Sequence, residues 1–310
     1  MTRRSSPRFV RSVPFVILAG VLVAGMAAAL AACGSSEPAA TPTATAAPAE
    51  TPSLTPADAP TEAPSDAPSA SPTDTTKLSV YFLRGEKLGV AERRVPRTKA
   101  VAAAAMRELC EGPTATERTA GLDTAIPAGT QPGSISISDG VALVDLSSHY
   151  AGGGGSQSMM ARVAQVVYTL TRFPSIRAVS FSLDGSPIST LGDEGLAVAP
   201  PQRRADWVDF EPAIFVEAPG VGATLGSPFV LAGTASVFEG SFTAELRDDS
   251  GRRIVRSTVQ ASRGGPQRGD FRKTVAFTTS APSGLLIVYT RSMEDGSRQN
   301  EVRIPVAFTR

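Results

Sequence analysis

Ser134-Ile135-Ser136-Ile137-Ser138-Asp139-Gly140-Val141-Ala142-Leu143-Val144-Asp145 sets two alternating apolar runs on either side of an Asp-Gly pair. Alternation with a period of two marks a half-buried strand. A tight two-residue reversal needs positive φ, which glycine supplies without steric cost and aspartate tolerates. The stretch therefore predicts a β-hairpin, and its neighbours must cover one face of it. On the N-terminal side, Leu78 to Leu83 alternates, and Leu88 to Val95 can return as its partner. A helix follows near Thr98 to Glu111, with Ala102, Ala105, Met106, Leu109 and Cys110 on one apolar stripe and Gly112-Pro113 as its stop. On the C-terminal side, Gly152 to Gly155 leads into a helix over Ser156 to Leu170, with Met160, Val163, Ala164, Val167 and Leu170 on one side. Phe173-Pro174 ends that helix, and Val179, Phe181 and Leu183 form another alternating strand before Asp184-Gly185. Strands and helices mix without repeated parallel crossovers, so residues 77–199 read as an α+β domain.

Beyond it, residues 200–211 include Arg203-Arg204-Ala205-Asp206-Trp207 and read as a linker. Residues 212–310 carry no helical stripe. They carry strand-like runs near 214–216, 229–235, 242–247, 254–260, 271–277, 285–290 and 302–308, separated by turn signals such as Asp249-Ser250-Gly251. Seven short strands in about 100 residues predict an all-β immunoglobulin-like sandwich. The absence of a cysteine pair there excludes the antibody-type disulfide but not the architecture.

Several short motifs occur in an informative order: Leu109-Cys110-Glu111-Gly112-Pro113, Ile126-Pro127-Ala128-Gly129, the hairpin closing on Val144-Asp145-Leu146, and Leu183-Asp184-Gly185. With them the first domain resembles the GerMN domain of GerM-type sporulation and germination proteins. In the second, Glu217-Ala218-Pro219, Ser227-Pro228, Gly233, Val237-Phe238-Glu239 and Asp295-Gly296 resemble Gmad2, the immunoglobulin-like domain that accompanies GerMN. The resemblance implies a sporulation or germination context.

The N-terminus reads as a different material. Arg3, Arg4, Arg8 and Arg11 precede an apolar run ending in Leu30-Ala31-Ala32-Cys33-Gly34. A basic start, an apolar segment and small residues before a cut describe a secretory signal over residues 1–32. Leu30 to Cys33 resembles a bacterial lipobox, which implies that Cys33 is lipidated and holds the mature protein on the outer face of the cytoplasmic membrane. Residues 33–76 read as a disordered tether. Proline falls at every fourth residue from Pro48 to Pro72, between Ala, Thr, Ser and acids, with no Lys or Arg from 34 to 76. Such a segment has too little to bury to offset the entropy of folding.

The composition excludes several chemistries. A formal net charge of +1 offers no bulk basic surface for nucleic acid, and two cysteines with one histidine rule out the usual zinc spacings. His149 is the one histidine, so any Ser-His-Asp or Cys-His arrangement must use it; its setting after Ser147-Ser148 lacks a nucleophile elbow, and it reads as a surface loop residue. Cys110 lies on its helix's apolar stripe and reads as a buried structural thiol, with Arg107 expected on another face. Asp123, Asp145, Asp184, Asp193 and Glu194 are candidates for a carboxylate pair of the glycoside-hydrolase kind, but most sit beside glycine or at strand ends, where aspartate serves turn geometry. Gly152 to Gly155 lacks the Lys-Ser/Thr of a phosphate loop and reads as a flexible connection. Arg247, Arg252, Arg253, Arg256, Arg263, Arg268 and Arg272 could face an anionic polymer or lipid headgroups, but the interleaved Asp248, Asp249 and Asp270 favour a solvated face.

No catalytic residue, cofactor or metal is therefore expected. The sequence points to a non-enzymatic, membrane-anchored lipoprotein that acts as a binding or assembly module at the cell envelope. Its partner would be an envelope protein complex or a cell-wall polymer, and not nucleic acid. The alternatives are a wall-active hydrolase built on a carboxylate pair and a solute-binding lipoprotein.

Overall fold

The computed structural model describes residues 74–309. The signal segment, Cys33 and the 33–73 part of the tether lie outside the described residues. The first strand among the described residues begins at Thr75, inside the stretch read as tether. Thr75 and Thr76 pair with Pro96 and Val95, because the partner strand runs long enough to take them. The ribbon consists of β1 (Thr75–Arg84) and β2 (Lys87–Pro96), antiparallel from Thr75↔Pro96 to Arg84↔Lys87.

Helices α1 (Val101–Cys110) and α2 (Ala115–Thr119) follow. Their junction is where Gly112-Pro113 was expected to stop a helix, and the structure adds a clamp there. The Arg93 guanidinium on β2 donates to both carboxylate oxygens of Glu117 (2.9 and 2.5 Å), to Glu108 Oε2 (2.9 Å) and to the carbonyls of Glu108 and Gly112 (2.8 and 2.7 Å). Glu117 meanwhile completes a capping box with Thr114 at the start of α2.

The hairpin forms as expected: β3 (Pro132–Ser138) and β4 (Val141–Leu146) reverse through Asp139 at φ 51° and Gly140 at φ 81°. From β4 the chain crosses through α3 (Ser156–Leu170) to β5 (Ala178–Leu183), which pairs parallel with β4, and β6 (Ser186–Pro187) closes a sheet of order β3-β4-β5-β6. A small hairpin of β7 (Thr190–Leu191) and β8 (Leu196–Ala197) ends the domain. The single expected apolar stripe on α3 is an underestimate. Ala161 to Leu170 is buried without interruption, Arg162, Gln165 and Thr169 included, because α3 packs against the β1–β2 ribbon, α1 and β5 together.

The second half is a two-sheet sandwich. One sheet has the order β10-β16-β15-β12-β13 and the other β14-β11-β9. Its strands are β9 (Ile214–Ala218), β10 (Thr224–Leu225), β11 (Phe229–Ala235), β12 (Ser241–Asp248), β13 (Arg253–Gln260), β14 (Gly269–Val275), β15 (Ser283–Arg291) and β16 (Arg298–Phe308). Alternation predicts all of them except the two-residue β10, too short to show a period, which pairs parallel with the end of β16. Phe242 and Phe271 meet edge to face at 4.9 Å between the sheets.

The stretch read as a linker is packed structure. Gln202 exchanges backbone hydrogen bonds with Val179, and Arg204–Phe210 forms a 3-10 segment that buries Trp207 and Phe210. One apolar cluster runs from Val80 through α3 to Phe308, so the two halves share a core. Among the described residues no helix is long and apolar enough to cross a membrane.

Candidate functional site

Three of the carboxylates singled out in the α+β half hold backbone in place. Asp145 Oδ1 accepts from Ser182 Oγ (2.8 Å) and from the Gly185 amide (2.9 Å). Asp184, itself at φ 46°, accepts from the Ser148 amide (3.2 Å). Asp123 accepts from the next amide, at Thr124, and bridges Leu83 through its backbone. Glu194 accepts from Ser156 Oγ at the start of α3, and Asp193 is exposed beside it. His149 is exposed on a short 3-10 turn, as expected.

Cys110 is half-buried, and burial pushes its thiol up to about 12. Arg107 does not lie on another face: three residues is nearly one helical turn, and both side chains line one recess with Gly129 and Gln131. The glycine run 152–155 is not free either. Arg162 on α3 reaches back and donates to the carbonyls of Tyr150, Gly152 and Gly153 (2.5, 3.1 and 2.8 Å). Of the sandwich arginines, Arg247 pairs with Glu245 and Arg252 with Asp248. Arg268 leaves that solvated group altogether, and its place is the domain seam.

The seam is the most developed polar assembly among the described residues. Arg204, in the packed connector, donates to Glu217 Oε1 (2.6 Å), to the Tyr81 hydroxyl (3.1 Å), to the Tyr168 carbonyl (3.1 Å) and to Thr171 Oγ1 (2.9 Å). The Tyr81 hydroxyl donates in turn to Glu217 Oε1 at 2.5 Å. The guanidinium carbon lies 4.7 Å from the Tyr168 ring centre and 5.2 Å from that of Tyr81. Beside this clasp, Glu211 accepts from the Tyr168 hydroxyl (2.7 Å) and from Thr234 Oγ1 (2.6 Å) and pairs with Arg268 (3.1 Å). Beneath both lie the rings of Tyr81, Tyr168 and Phe215, with centres 5.7 to 6.0 Å apart. β2 and the turn after β9 add backbone bonds, Val221 N to Val90 O and Glu92 N to Val221 O, each 2.8 Å.

Buried charges persist only where their hydrogen bonds are satisfied. Burial pushes the Tyr81 and Tyr168 hydroxyls up, with Glu217 and Glu211 respectively adding to it, so both stay protonated donors. Burial works against ionisation of Glu217 too, but the charge of Arg204 and the donated bonds outweigh it and hold the carboxyl below the usual carboxylate range.

One recess lies at the seam and another at the end of the sandwich. The first, of about 460 Å³, lies between β2, β9 and β16; the second, of about 780 Å³, lies between the β11–β12 and β15–β16 loops. Among the described residues no cluster of three or more His, Cys, Asp or Glu could hold a metal.

Residues 79–189 match the Germane domain, described as belonging to sporulation and spore germination, and residues 213–297 match Gmad2, the immunoglobulin-like domain of bacterial spore germination. The chain carries a Germane domain followed by a Gmad2 domain. Among solved structures, it is similar to the tandem GerMN domains of the sporulation protein GerM from Bacillus subtilis at 17% identity and a TM-score of 0.39. That likeness covers 66% of this chain and 62% of the other, so the chain spans less than two thirds of that relative. The first GerMN domain of the same protein is similar at 24% identity and a TM-score of 0.37, over 43% of this chain and all of its own. No curated protein matches significantly.

Arg204 and Glu211 lie between the two matched stretches. The clasp that joins the Germane and Gmad2 domains is therefore built partly from residues that belong to neither domain's matched sequence. Sequence reasoning missed it because an arginine inside a short connector carries no periodicity. The available signal was Glu217, quoted above for the Gmad2 resemblance and here the acceptor for both Arg204 and Tyr81.

A pH dependence follows from the clasp. The folded-state carboxyl of Glu217 sits below its unfolded value of about 4.3, so its contribution to stability is complete above that pH and is lost as pH falls through the folded value. Urea unfolding should show the stability gap between wild type and Glu217→Gln at its widest above about pH 5 and closing as pH falls below about 4.3. A gap that stays constant down to pH 3 would exclude Glu217 as the titrating group.

Proposed function

We propose that the protein is a non-enzymatic lipoprotein, anchored through Cys33 on the outer face of the cytoplasmic membrane. There it presents its fused Germane–Gmad2 body as a binding and assembly module of the sporulation or germination type. The observation that carries this reading is the recess at the end of the Gmad2 sandwich. Phe238 (74% exposed) and Met293 (92% exposed) project from two loops into its rim, and Glu239 holds the turn beside Phe238 at φ 54°. Isolated exposed apolar residues are ordinary, but two large ones on one concave rim mark a surface built to be covered. Apolar tips favour a protein of the envelope over a hydrophilic wall polymer, because burying them releases water only against an apolar counterpart. The seam supports the same reading, since a module that recruits a partner gains from holding its surface rigid.

Crosslinking of the full-length chain in living cells, followed by mass spectrometry, tests this. One recurrent envelope protein should be captured, and capture should fall at least tenfold for Phe238→Ser/Met293→Ser at unchanged abundance. Unchanged capture by that variant, or capture of wall fragments alone, would refute the assignment.

A further inference from the structure

The recess between β2, β9 and β16 differs in chemistry from the one just described. Its walls are Leu88 and Val90 from the Germane domain and Ile214, Val216, Val302 and Ile304 from the Gmad2 domain. At about 460 Å³ it falls within the ~300–1,000 Å³ span of small-molecule clefts, and its lining is mostly apolar, as such clefts are.

Three charged side chains stand on its lining, and they are not equivalent. Glu301 is compensated twice, by Arg298 (2.9 Å) and Arg303 (2.6 Å). The Lys87 ammonium donates to the Asp209 carbonyl (2.6 Å) and has no carboxylate partner among the described residues. Arg84 is the anomaly. Its Nη2 makes one long bond to the Ala120 carbonyl (3.3 Å), its Nε is buried with no acceptor, and no acid pairs with it among the described residues. Every other buried or half-buried arginine described above (Arg93, Arg162, Arg204 and Arg268) is met by carboxylates or by several carbonyls. Burial pulls the Arg84 guanidinium down, with no carboxylate to oppose it. An uncompensated guanidinium on the lining of a mostly apolar cleft is complementary to a hydrocarbon chain ending in an anion.

We propose that this cleft binds an anionic amphiphile, with the chain along Pro212, Ala213 and Val302, the half-exposed apolar residues of the lining, and a carboxylate or phosphate head paired with Arg84 and assisted by Lys87. Both domains wall the cleft, so occupancy strengthens the seam as it fills. The site is independent of Phe238 and Met293, and its failure would leave the partner-binding reading intact.

Titration calorimetry of the full chain, with probes kept below micellar concentrations, tests the proposal. Laurate should bind at least tenfold more tightly than dodecanol. Arg84→Gln should abolish that preference while leaving dodecanol binding unchanged, and this also reports that the cleft is intact. Val302→Trp, which fills the cleft, should block both probes. Cosedimentation with phosphatidylglycerol vesicles separates the sources: uptake of laurate requiring Arg84 assigns a free fatty acid or monomeric lipid, whereas vesicle binding requiring Arg84 without laurate uptake assigns a bilayer headgroup. Equal affinity for laurate and dodecanol, laurate binding unmoved by Arg84→Gln, or no binding in either arm would overturn the proposal. So would binding of an apolar peptide with a free C-terminal carboxylate where laurate does not bind.

Discussion

Arg204→Met should lower the unfolding free energy by about 3 kcal/mol, the low end of what removing one partner from a buried ion pair costs. The low end applies because the Arg204 and Glu217 side chains keep 29% and 18% of their exposure. The change deletes four hydrogen bonds and leaves Glu217 with the Tyr81 hydroxyl as its hydrogen-bond donor and the charge of Arg172 further off. For a chain of this size each kcal/mol shifts Tm by roughly 2–4 °C, so calorimetry should record a fall of about 6–12 °C. The double variant Arg204→Met/Glu217→Leu should recover part of the loss, since replacing both charges by apolar groups removes the stranded carboxylate. Equal destabilisation by the single and double variants would mean that the two residues do not act as a pair.

Gly233→Ala should be at least as damaging, by a different route. Gly233 faces β9 where the β9–β11 pairing shifts register between Ala232 and Gly233. A methyl group there would lie 1.9 Å from the Phe215 carbonyl oxygen and 3.0 Å from the Phe271 ring. The first obstacle is backbone and cannot swing away, so β9 must move, and Phe215 would carry the aromatic cluster of the seam with it. Overpacking of this kind costs about 3 kcal/mol or more when the obstruction is main chain. Chemical denaturation should show the loss in the midpoint with an unchanged slope. A variant within about 0.5 kcal/mol of wild type would show that β9 can yield.

These two residues mark what could be read from sequence and what could not. The hairpin around Asp139-Gly140, the span of α3 and the sandwich strands follow from periodicity and turn chemistry, which are local properties. Gly233 was visible as a motif residue, but its reason, a carbonyl arriving from β9, is tertiary. The connector between the two modules is more ordered over Arg204 to Phe210 than its composition indicates. Connector composition reports the lack of a regular period, and a 3-10 segment that buries Trp207 and Phe210 has none to report. The charged residues of the seam were hidden for a related reason. Arg204, Glu217, Tyr81 and Tyr168 are separated by up to 136 positions along the chain and converge only because β1, α3, the connector and β9 pack together. Arg84 looks like an ordinary strand-end arginine in the sequence, and its missing partner becomes visible only in the packed cleft.

The shared core bears on how such a chain can be inherited. Two domains joined by a free linker can be recombined with other partners one at a time. Here Phe215 of one domain is fitted to Tyr81 and Tyr168 of the other, and Arg204 and Glu211 belong to neither matched stretch. A chimera that exchanges either domain alone would arrive without its complement. Only a transplant carrying β1, α3, the connector and β9 as a block would keep the joint, so for this chain the exchangeable unit is the pair.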